Sequence, residues 1–159
     1  MKSTVMQFTA DEIESNHKKY MDRIALYKKY GIDHEEIRKK IIRVIPDNTK
    51  SILEIGTGKG YLTALLNGPF DRIVTVDNDS NENRMAMLYT ACNNLIEKID
   101  FFTADAGSLD YPDRSFDTAV SAFTFHHLDL PFKVIREMTR LAARCIIISD
   151  FSPKGFDTI

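Results

Sequence analysis

Residues 52–60 read Ile52-Leu53-Glu54-Ile55-Gly56-Thr57-Gly58-Lys59-Gly60, an apolar strand with one acid that runs directly into three alternating glycines. Because glycine has no Cβ, the backbone N–H groups of such a turn can approach a bound ligand closely. The dinucleotide fingerprint G-x-G-x-x-G would require glycine at position 61, where this chain has Tyr61. The stretch therefore predicts a ligand-binding turn after a buried strand, and its spacing argues against NAD and FAD.

The composition is that of one globular domain. The chain has 159 residues, of which 43% are apolar, enough for a single core. Its formal charge of −2 gives no general attraction to nucleic acid or anionic lipid. Residues 1–12 lack the apolar segment of a secretion signal, and no stretch could span a bilayer. We therefore expect a cytoplasmic protein with neither a nucleic-acid nor a membrane partner.

Two helix starts are marked near the N-terminus. Thr9 precedes Glu12 by three residues, and Asp33 precedes Glu36 by the same interval, as in a capping box. Both helices are amphipathic, so we expect each to pack on a later sheet. They form a predicted helical cap over residues 1–46 of a single domain, 1–159.

From residue 49 to residue 151, short apolar runs alternate with helical patterns. The pattern predicts strands at 51–56, 72–77, 99–103, 117–122 and 145–149 and helices at 60–67, 81–96 and 131–143. Strands that are apolar on both faces and alternate with helices indicate a parallel sheet covered on both sides. The predicted fold class is therefore α/β, with a doubly wound, mainly parallel sheet of about five strands.

Acidic residues stand where two of these strands end, and ligands of open α/β sheets bind beyond the carboxyl ends of the strands. Asp77, followed by Asn78, lies about 20 residues after Gly56, the interval at which one carboxylate can accept both ribose hydroxyls. Asp105 and Ala106 follow the third strand, where a carboxylate and a backbone N–H could contact an adenine. The structural alternatives are that Asp77 caps the next helix and that Asp105 forms a turn.

With Glu54, the glycines, Asp77 and Asp105 in register, residues 49–151 resemble class I, Rossmann-like S-adenosylmethionine-dependent methyltransferases. Residues 109–117 and 121–128 are similar to the branch that includes quinone-biosynthesis C-methyltransferases and many small-molecule enzymes. No Asn-Pro-Pro-Tyr or Asp-Pro-Pro-Tyr follows the fourth strand, which argues against enzymes that methylate amino groups of nucleic-acid bases. The resemblance implies S-adenosyl-L-methionine as cofactor, bound by Glu54, Gly56, Thr57, Gly58, Gly60, Asp77, Asn78, Asp105, Ala106 and Phe123.

Glu54 is unusual because a carboxylate inside an apolar strand costs several kcal/mol unless it finds a partner. The ammonium group of a bound methionine moiety would serve, directly or through water. Backbone N–H groups of the glycine turn are the competing partners, and both interactions are compatible.

His126 and His127 are the candidate catalytic residues, because the loop after the fourth strand borders the methyl group in this family. Methyl transfer depends mainly on alignment of the acceptor, the methyl group and the sulfur, and a histidine can remove a proton from a hydroxyl, phenol or acidic carbon. A purely structural role for both histidines is the alternative. No metal is expected, since adjacent side chains diverge and no distant cluster completes a ligand set with Asp129.

Other residues of the pattern have more general roles. Tyr20, Tyr27 and Tyr30 belong to a region that folds over the pocket as a lid in related enzymes. Cys92 and Cys145 lack C-x-x-C spacing and are predicted to be reduced, buried thiols.

The C-terminal end departs from the family, which adds two strands after the fifth, whereas only ten residues follow Ser149. The fifth strand is then an exposed edge, which predicts a homodimer, a partner chain that covers it, or a clipped parent sequence. The sequence thus predicts a methyltransferase for a small-molecule acceptor. The alternative is a non-catalytic cofactor-binding or partner-completing module. Aminopropyl transfer from the decarboxylated cofactor would require a dense acidic pocket that the sequence lacks.

Overall fold

The computed structural model describes residues 8–66, 68, 70–92 and 98–151. These residues form a five-stranded parallel sheet with helices on both faces, as the sequence predicts. The helices are α1 (Ala10–Lys29), α2 (His34–Arg43), α3 (Ser80–Cys92) and α4 (Pro131–Leu141). The strands are β1 (Ser51–Ile55), β2 (Arg72–Asp77), β3 (Ile99–Thr103), β4 (Phe116–Ala122) and β5 (Ala142–Ser149), in the spatial order β3-β2-β1-β4-β5.

The strand order reverses at β1, which has β2 on one side and β4 on the other. Ile55 at the end of β1 is level with Val76 in β2 and with Ser121 in β4, so these strands reach the same edge together. A crevice opens at such a reversal because the connections on its two sides lead to opposite faces of the sheet. The topology therefore directs the residues after β1, β2 and β4 toward one place.

Alternation along β1 divides the core into two layers. Ile52 packs with α2 and α3 residues, including Ile41 and Met87, on one face of the sheet. Leu53 and Ile55 point the other way and pack with residues of α4. Since neighbouring strand residues face opposite sides, Glu54 lies on the same face as Ile52.

The two N-terminal helices begin at the predicted caps but pack differently from each other. Thr9 and Glu12 form a complete capping box, and the Asp33 side chain accepts the backbone N–H of Glu36. Helix α2 buries Ile41 against the sheet as expected. Helix α1 instead packs on α3, to which it is joined by an ion pair between Glu12 and Arg84 with an N–O distance of 2.6 Å. The expectation that both helices contact the sheet is therefore wrong for α1.

The predicted helix over 60–67 is also wrong for residues 60–66, where the structure has only a single 3-10 turn at Thr63–Leu65. Residue 67 lies outside the described part of the chain. Gly58 and Gly60 have φ values of +48° and +78°, which a right-handed helix does not allow. The sequence Asn67-Gly68-Pro69 leaves too few helix-forming residues before the next break. Residues 93–96 of the predicted third helix lie outside the described residues.

At the C-terminal side, the predicted interruption between helix 131–143 and strand 145–149 is absent. Helix α4 ends at Leu141, and Ala142 already has extended dihedral angles and pairs with Phe116 of β4. A register shift between Phe116 and Thr118 then brings the rest of β5 into its regular pairing with β4.

We expect Met138→Ala to lower the free energy of unfolding by about 2–5 kcal/mol, because Met138 is fully buried between α4 and the sheet. The matched control is Phe132→Ala on the same helix, where the side chain is 80% exposed and the change should stay within about 0.5 kcal/mol. Urea unfolding followed by circular dichroism measures both. Equal losses in the two variants would contradict the burial of this face of α4.

Candidate functional site

A cavity of about 860 Å³ opens at the carboxyl ends of the strands, where the reversed strand order predicts it. Its volume is in the range of cavities that bind small molecules. Eleven of the twelve residues that the sequence singles out line it: Glu54, Gly56, Thr57, Gly58, Asp77, Asn78, Asp105, Ala106, Phe123, His126 and His127. The twelfth, Gly60, lies outside this lining.

The three glycines of the turn differ in what a side chain at each position would contact. A Cβ on Gly56 would lie 2.0 Å from the Thr124 hydroxyl oxygen, so the absence of a side chain at Gly56 lets the chain after β4 approach β1. A Cβ on Gly60 would lie 2.8 Å from the Cα of Ala86, so Gly60 lets α3 pack closely. Gly58 has open space around it and lines the cavity. Of the three, Gly58 therefore leaves the most room for a ligand beside the turn.

The Glu54 carboxylate is buried and held by a chain of threonine hydroxyls. Its Oε2 atom accepts hydrogen bonds from Thr63 at 2.6 Å and from Thr75 at 2.7 Å. Since the Thr75 hydroxyl donates its proton to Glu54, the hydroxyl of Thr57, 2.7 Å away, donates to Thr75. Burial nonetheless raises the pKa of Glu54 to about 7, against the lowering effect of the two hydroxyls and of the Arg38 charge.

Asp77 connects the glycine turn to the end of β2. One carboxylate oxygen accepts the backbone N–H of Gly58 at 2.8 Å, and the other accepts that of Asp79 at 3.0 Å. The start of α3 is supported by Asp79, which accepts the N–H of Asn81. Each Asp77 oxygen can accept a second hydrogen bond, so the carboxylate can also accept two ligand hydroxyls.

Asp105 and Ala106 lie at the other end of the cavity, after β3. The Asp105 side chain is exposed, accepts the N–H of Gly107 at 2.8 Å and pairs with the Lys133 ammonium group at 2.8 Å. These two interactions lower the pKa of Asp105. The carboxylate is thus an ionised acceptor that also forms the turn considered as its structural role.

Phe123 supplies a wall of the cavity through an unusual backbone conformation. Its φ of +55° is in the left-handed region, and its N–H donates to the Ser149 carbonyl at 2.8 Å. The ring packs against His34 and Phe151, with centroids 5.2 Å and 5.1 Å away. The strained turn after β4 therefore places an aromatic surface next to Gly56 and α2.

His126 is held in place by Asp150, which follows β5. The His126 Nδ1 atom lies 2.7 Å from one Asp150 oxygen, and the other oxygen accepts the His126 backbone N–H at 3.0 Å. The ring centroids of His126 and His127 are 3.8 Å apart, with the ring planes tilted by 47°. Both histidines line the cavity, although adjacent side chains are expected to diverge.

Of the lid tyrosines, only Tyr27 lines the cavity, and Tyr30 is largely exposed. The Tyr20 ring packs on the rings of Tyr61 and Tyr89 at 4.8 Å and 4.4 Å. Helix α1 is thereby joined to the residue that directly follows the glycine turn.

The lining and supporting residues that the sequence prediction does not name include His34, Arg38, Asp150 and Phe151. Asp150 follows β5, so the rule that selects acids at strand ends could have found it. His34 and Arg38 belong to a short charged helix, and no local signal distinguishes them from solvated residues. Only packing of α2 across the cavity brings them to the site.

The arrangement fits the cofactor that the resemblance implies. Asp77 and Asp105 provide separate acceptors after β2 and β3, Gly58 has open space where a side chain would stand, and the Glu54 carboxylate reaches the cavity. Within the described residues, no group of three or more His, Cys, Asp or Glu side chains could hold a metal ion. None of the described helices is both long and apolar enough to cross a membrane.

Comparison with known proteins places the chain among methyltransferases. Residues 53–144 match the family described as "Methyltransferase domain". The demethylmenaquinone methyltransferase of Thermotoga maritima is 31% identical over 118 residues, which are 72% of this chain and 48% of that protein. The ubiquinone/menaquinone biosynthesis C-methyltransferase UbiE of Hahella chejuensis is 30% identical over 124 residues, which are 73% of this chain and 44% of that protein. The chain thus spans less than half the length of these relatives.

Solved structures share the fold. The YcgJ protein of Bacillus subtilis superposes with a TM-score of 0.61 at 24% identity, over 69% of this chain and 47% of that one. Phosphoethanolamine N-methyltransferase 1 of Haemonchus contortus, in complex with phosphoethanolamine and S-adenosylhomocysteine, has a TM-score of 0.66 at 18% identity. That match covers 93% of this chain and 34% of the nematode protein.

The raised Glu54 pKa predicts a pH dependence of stability. In the unfolded chain Glu54 ionises near its ordinary pKa of 4.5, whereas in the folded protein it keeps its proton up to a pKa of about 7. The folded state therefore binds more protons between these values, and this group makes stability fall as pH rises from about 4.5 to about 7. Glu54→Gln should remove that contribution.

The measurement is the free energy of urea unfolding at several pH values between 4 and 8, compared between the parent and Glu54→Gln. Other carboxylates titrate equally in both proteins, so the difference isolates Glu54. The difference between the two free energies should change across this interval and level off above it. A constant difference at all pH values would contradict the raised pKa.

Proposed function

The chain belongs to the methyltransferase domain family, and from this premise we propose that it transfers a methyl group from S-adenosylmethionine to a small-molecule acceptor. The observation that carries the proposal is one cavity lined by Glu54, the glycine turn, Asp77 and Asp105. The quinone methyltransferases among its relatives support a small molecule as acceptor.

We propose that the cofactor lies across the ends of β1, β2 and β3. Asp77 accepts the two ribose hydroxyls, with Asn78 beside it, and its existing bonds to the N–H groups of Gly58 and Asp79 keep both oxygens oriented toward the cavity. Asp105 and the N–H of Ala106 contact the adenine. Glu54 meets the ammonium group at the methionine end, next to Gly56 and Thr57.

When bound, S-adenosylmethionine supplies a methyl group activated by its sulfonium charge. The chain's own contribution is alignment of the acceptor and exclusion of water by the rings of Phe123, His34 and Phe151. His126 is the candidate base, because the Asp150 carboxylate accepts the proton on Nδ1 and so leaves Nε2 as the basic nitrogen of the neutral ring. His127, whose ring lies beside it, is the second candidate.

Binding is tested first, with S-adenosylhomocysteine. At a hundredfold excess over its dissociation constant, a ligand adds about 2.7 kcal/mol to stability, which raises the Tm of a domain of this size by roughly 5–10 °C. Asp77→Ala should remove most of this shift, because two charge-assisted hydrogen bonds are lost. Asp71→Ala, at the other end of β2, is the matched control and should keep the shift. An unchanged shift in Asp77→Ala would exclude the ribose role.

Turnover distinguishes an enzyme from the alternative, a non-catalytic cofactor-binding or partner-completing module. A panel of phenols, hydroxyl compounds and acidic carbon compounds is incubated with S-adenosylmethionine, and release of S-adenosylhomocysteine is measured. With the right acceptor, His126→Ala should lower kcat by about 10²-fold or more if His126 is the base. Confirmed binding with no turnover on any acceptor would favour the module.

The outer edge of β5 is the place where we propose that a second copy or a partner chain binds. Among the described residues, no strand pairs with this edge, and Ile148 is 38% exposed on it. A strand edge with apolar side chains is prone to pair with another chain. One solved neighbour is a complex between the Haloferax volcanii Trm112 methyltransferase activator and its methyltransferase partner, which supports partner binding as an alternative to a homodimer.

If the edge mediates self-association, light scattering should give a dimer mass, and Ile148→Lys should return the protein to monomer by placing a charge on the edge. Thr139→Lys, on the exposed side of α4, is the control and should leave the dimer intact. A monodisperse monomer of the parent at high micromolar concentration would exclude the homodimer and leave the partner chain.

A further inference from the structure

Arg38 is an arginine of α2 whose guanidinium group faces the cavity between two aromatic rings. Its Cζ atom lies 5.2 Å from the ring centroid of Tyr61 and 5.2 Å from that of Phe123. The Tyr61 hydroxyl in turn accepts a hydrogen bond from Arg23 at 3.1 Å. The rings of Tyr61, which follows the glycine turn, and of Phe123, which follows β4, therefore flank this cation.

No described carboxylate forms an ion pair with this guanidinium group. Four other arginines, Arg43, Arg84, Arg140 and Arg144, each contact an acidic side chain. Arg23, which also lines the cavity, donates to the Tyr61 hydroxyl instead. Two aromatic rings stabilise a cation but leave its N–H groups without strong acceptors. Burial of Arg38 lowers its pKa, as expected for a cation that is removed from water and not fully compensated. A partly buried arginine with unused donors, directed into a cavity, is suited to bind an anion.

Glu54 lies on the same side of the cavity. Its carboxylate and the Arg38 guanidinium line the same space, and each charge acts on the other without a direct ion pair. A carboxylate and a guanidinium cation separated in this way are complementary to the two charges of an amino acid head group, which has an ammonium and a carboxylate on one carbon atom. The planar guanidinium can bind the carboxylate through two parallel hydrogen bonds.

We propose that Arg38 binds the α-carboxylate of the cofactor while Glu54 binds its ammonium group, so that the pair selects a cofactor with an intact amino acid end. This inference rests on the proposed function for the identity of the cofactor. It assigns α2 a role in ligand specificity in addition to covering the cavity. It also predicts that the decarboxylated cofactor binds poorly, since the guanidinium would then remain buried without an anion.

The test uses isothermal titration calorimetry with three nucleosides. S-adenosylhomocysteine carries both charges, its decarboxylated analogue carries only the amine, and 5′-methylthioadenosine carries neither. The parent should bind S-adenosylhomocysteine about 10- to 100-fold more tightly than the decarboxylated analogue, the range expected for hydrogen bonds between charged groups. Arg38→Met, which keeps the stem of the side chain, should bring these two affinities to within about threefold of each other.

Two further variants make the result specific. Arg38→Lys keeps the charge without the planar fork and should retain only part of the preference. Arg43→Met lies on the same helix, and Arg43 pairs with Glu36 outside the cavity, so this control should behave like the parent. The affinity for 5′-methylthioadenosine should be unchanged in every variant.

Three outcomes would overturn the inference. If Arg38→Met keeps the full preference for S-adenosylhomocysteine, another group binds the carboxylate. If it weakens all three nucleosides equally, Arg38 has a structural role. If it leaves the three affinities unchanged but raises the KM of an acidic acceptor, the guanidinium binds the acceptor. Failure of the parent to bind any of the three nucleosides would instead contradict the proposed function, and this inference with it.

Discussion

The hydrogen bonds of the buried Glu54 carboxylate are the interactions on which the site depends. An ionisable group in the central strand costs several kcal/mol unless it finds hydrogen-bond partners, and here hydroxyls from two other segments both donate to its Oε2 atom. Thr75 belongs to β2 and Thr63 to the turn after the glycines, so these hydrogen bonds join the central strand, its neighbour and the ligand-binding turn. Because the same carboxylate reaches the cavity, the residue that joins these segments also places an ionisable acid in the cavity lining.

The remainder of the site follows from the parallel sheet. Strands that end level with each other bring Gly56, Asp77 and the chain after β4 to one edge, although they are far apart in the sequence. Close packing makes the geometry specific, since Thr124 occupies the space that a Cβ at position 56 would need. The left-handed conformation of Phe123 is maintained by its hydrogen bond to Ser149, and it converts a strand end into an aromatic wall.

The two sides of the cavity are formed by different elements of the fold. The side where we propose that the nucleoside binds, from the glycine turn to Asp105, consists of turns in which Asp77 and Asp105 accept backbone N–H groups. The acceptor side is formed by α2, the histidines after β4 and the residues after β5, next to a strand edge that no described strand covers. The matched region is less than half the length of the two quinone methyltransferases.

The sequence by itself determined the fold class, both N-terminal caps, five strands to within a few residues, and the acids at the strand ends. Those features depend on local periodicity and on residues that lie close together along the chain. It did not determine that residues 60–66 form only a turn, that α1 packs on α3, or that Gly60 serves packing outside the cavity lining. Arg38 became part of the site only through the tertiary structure, because α2 crosses to the rings of Tyr61 and Phe123 from positions distant in the chain. Contacts of this kind depend on how elements pack, and no local pattern in the sequence encodes them.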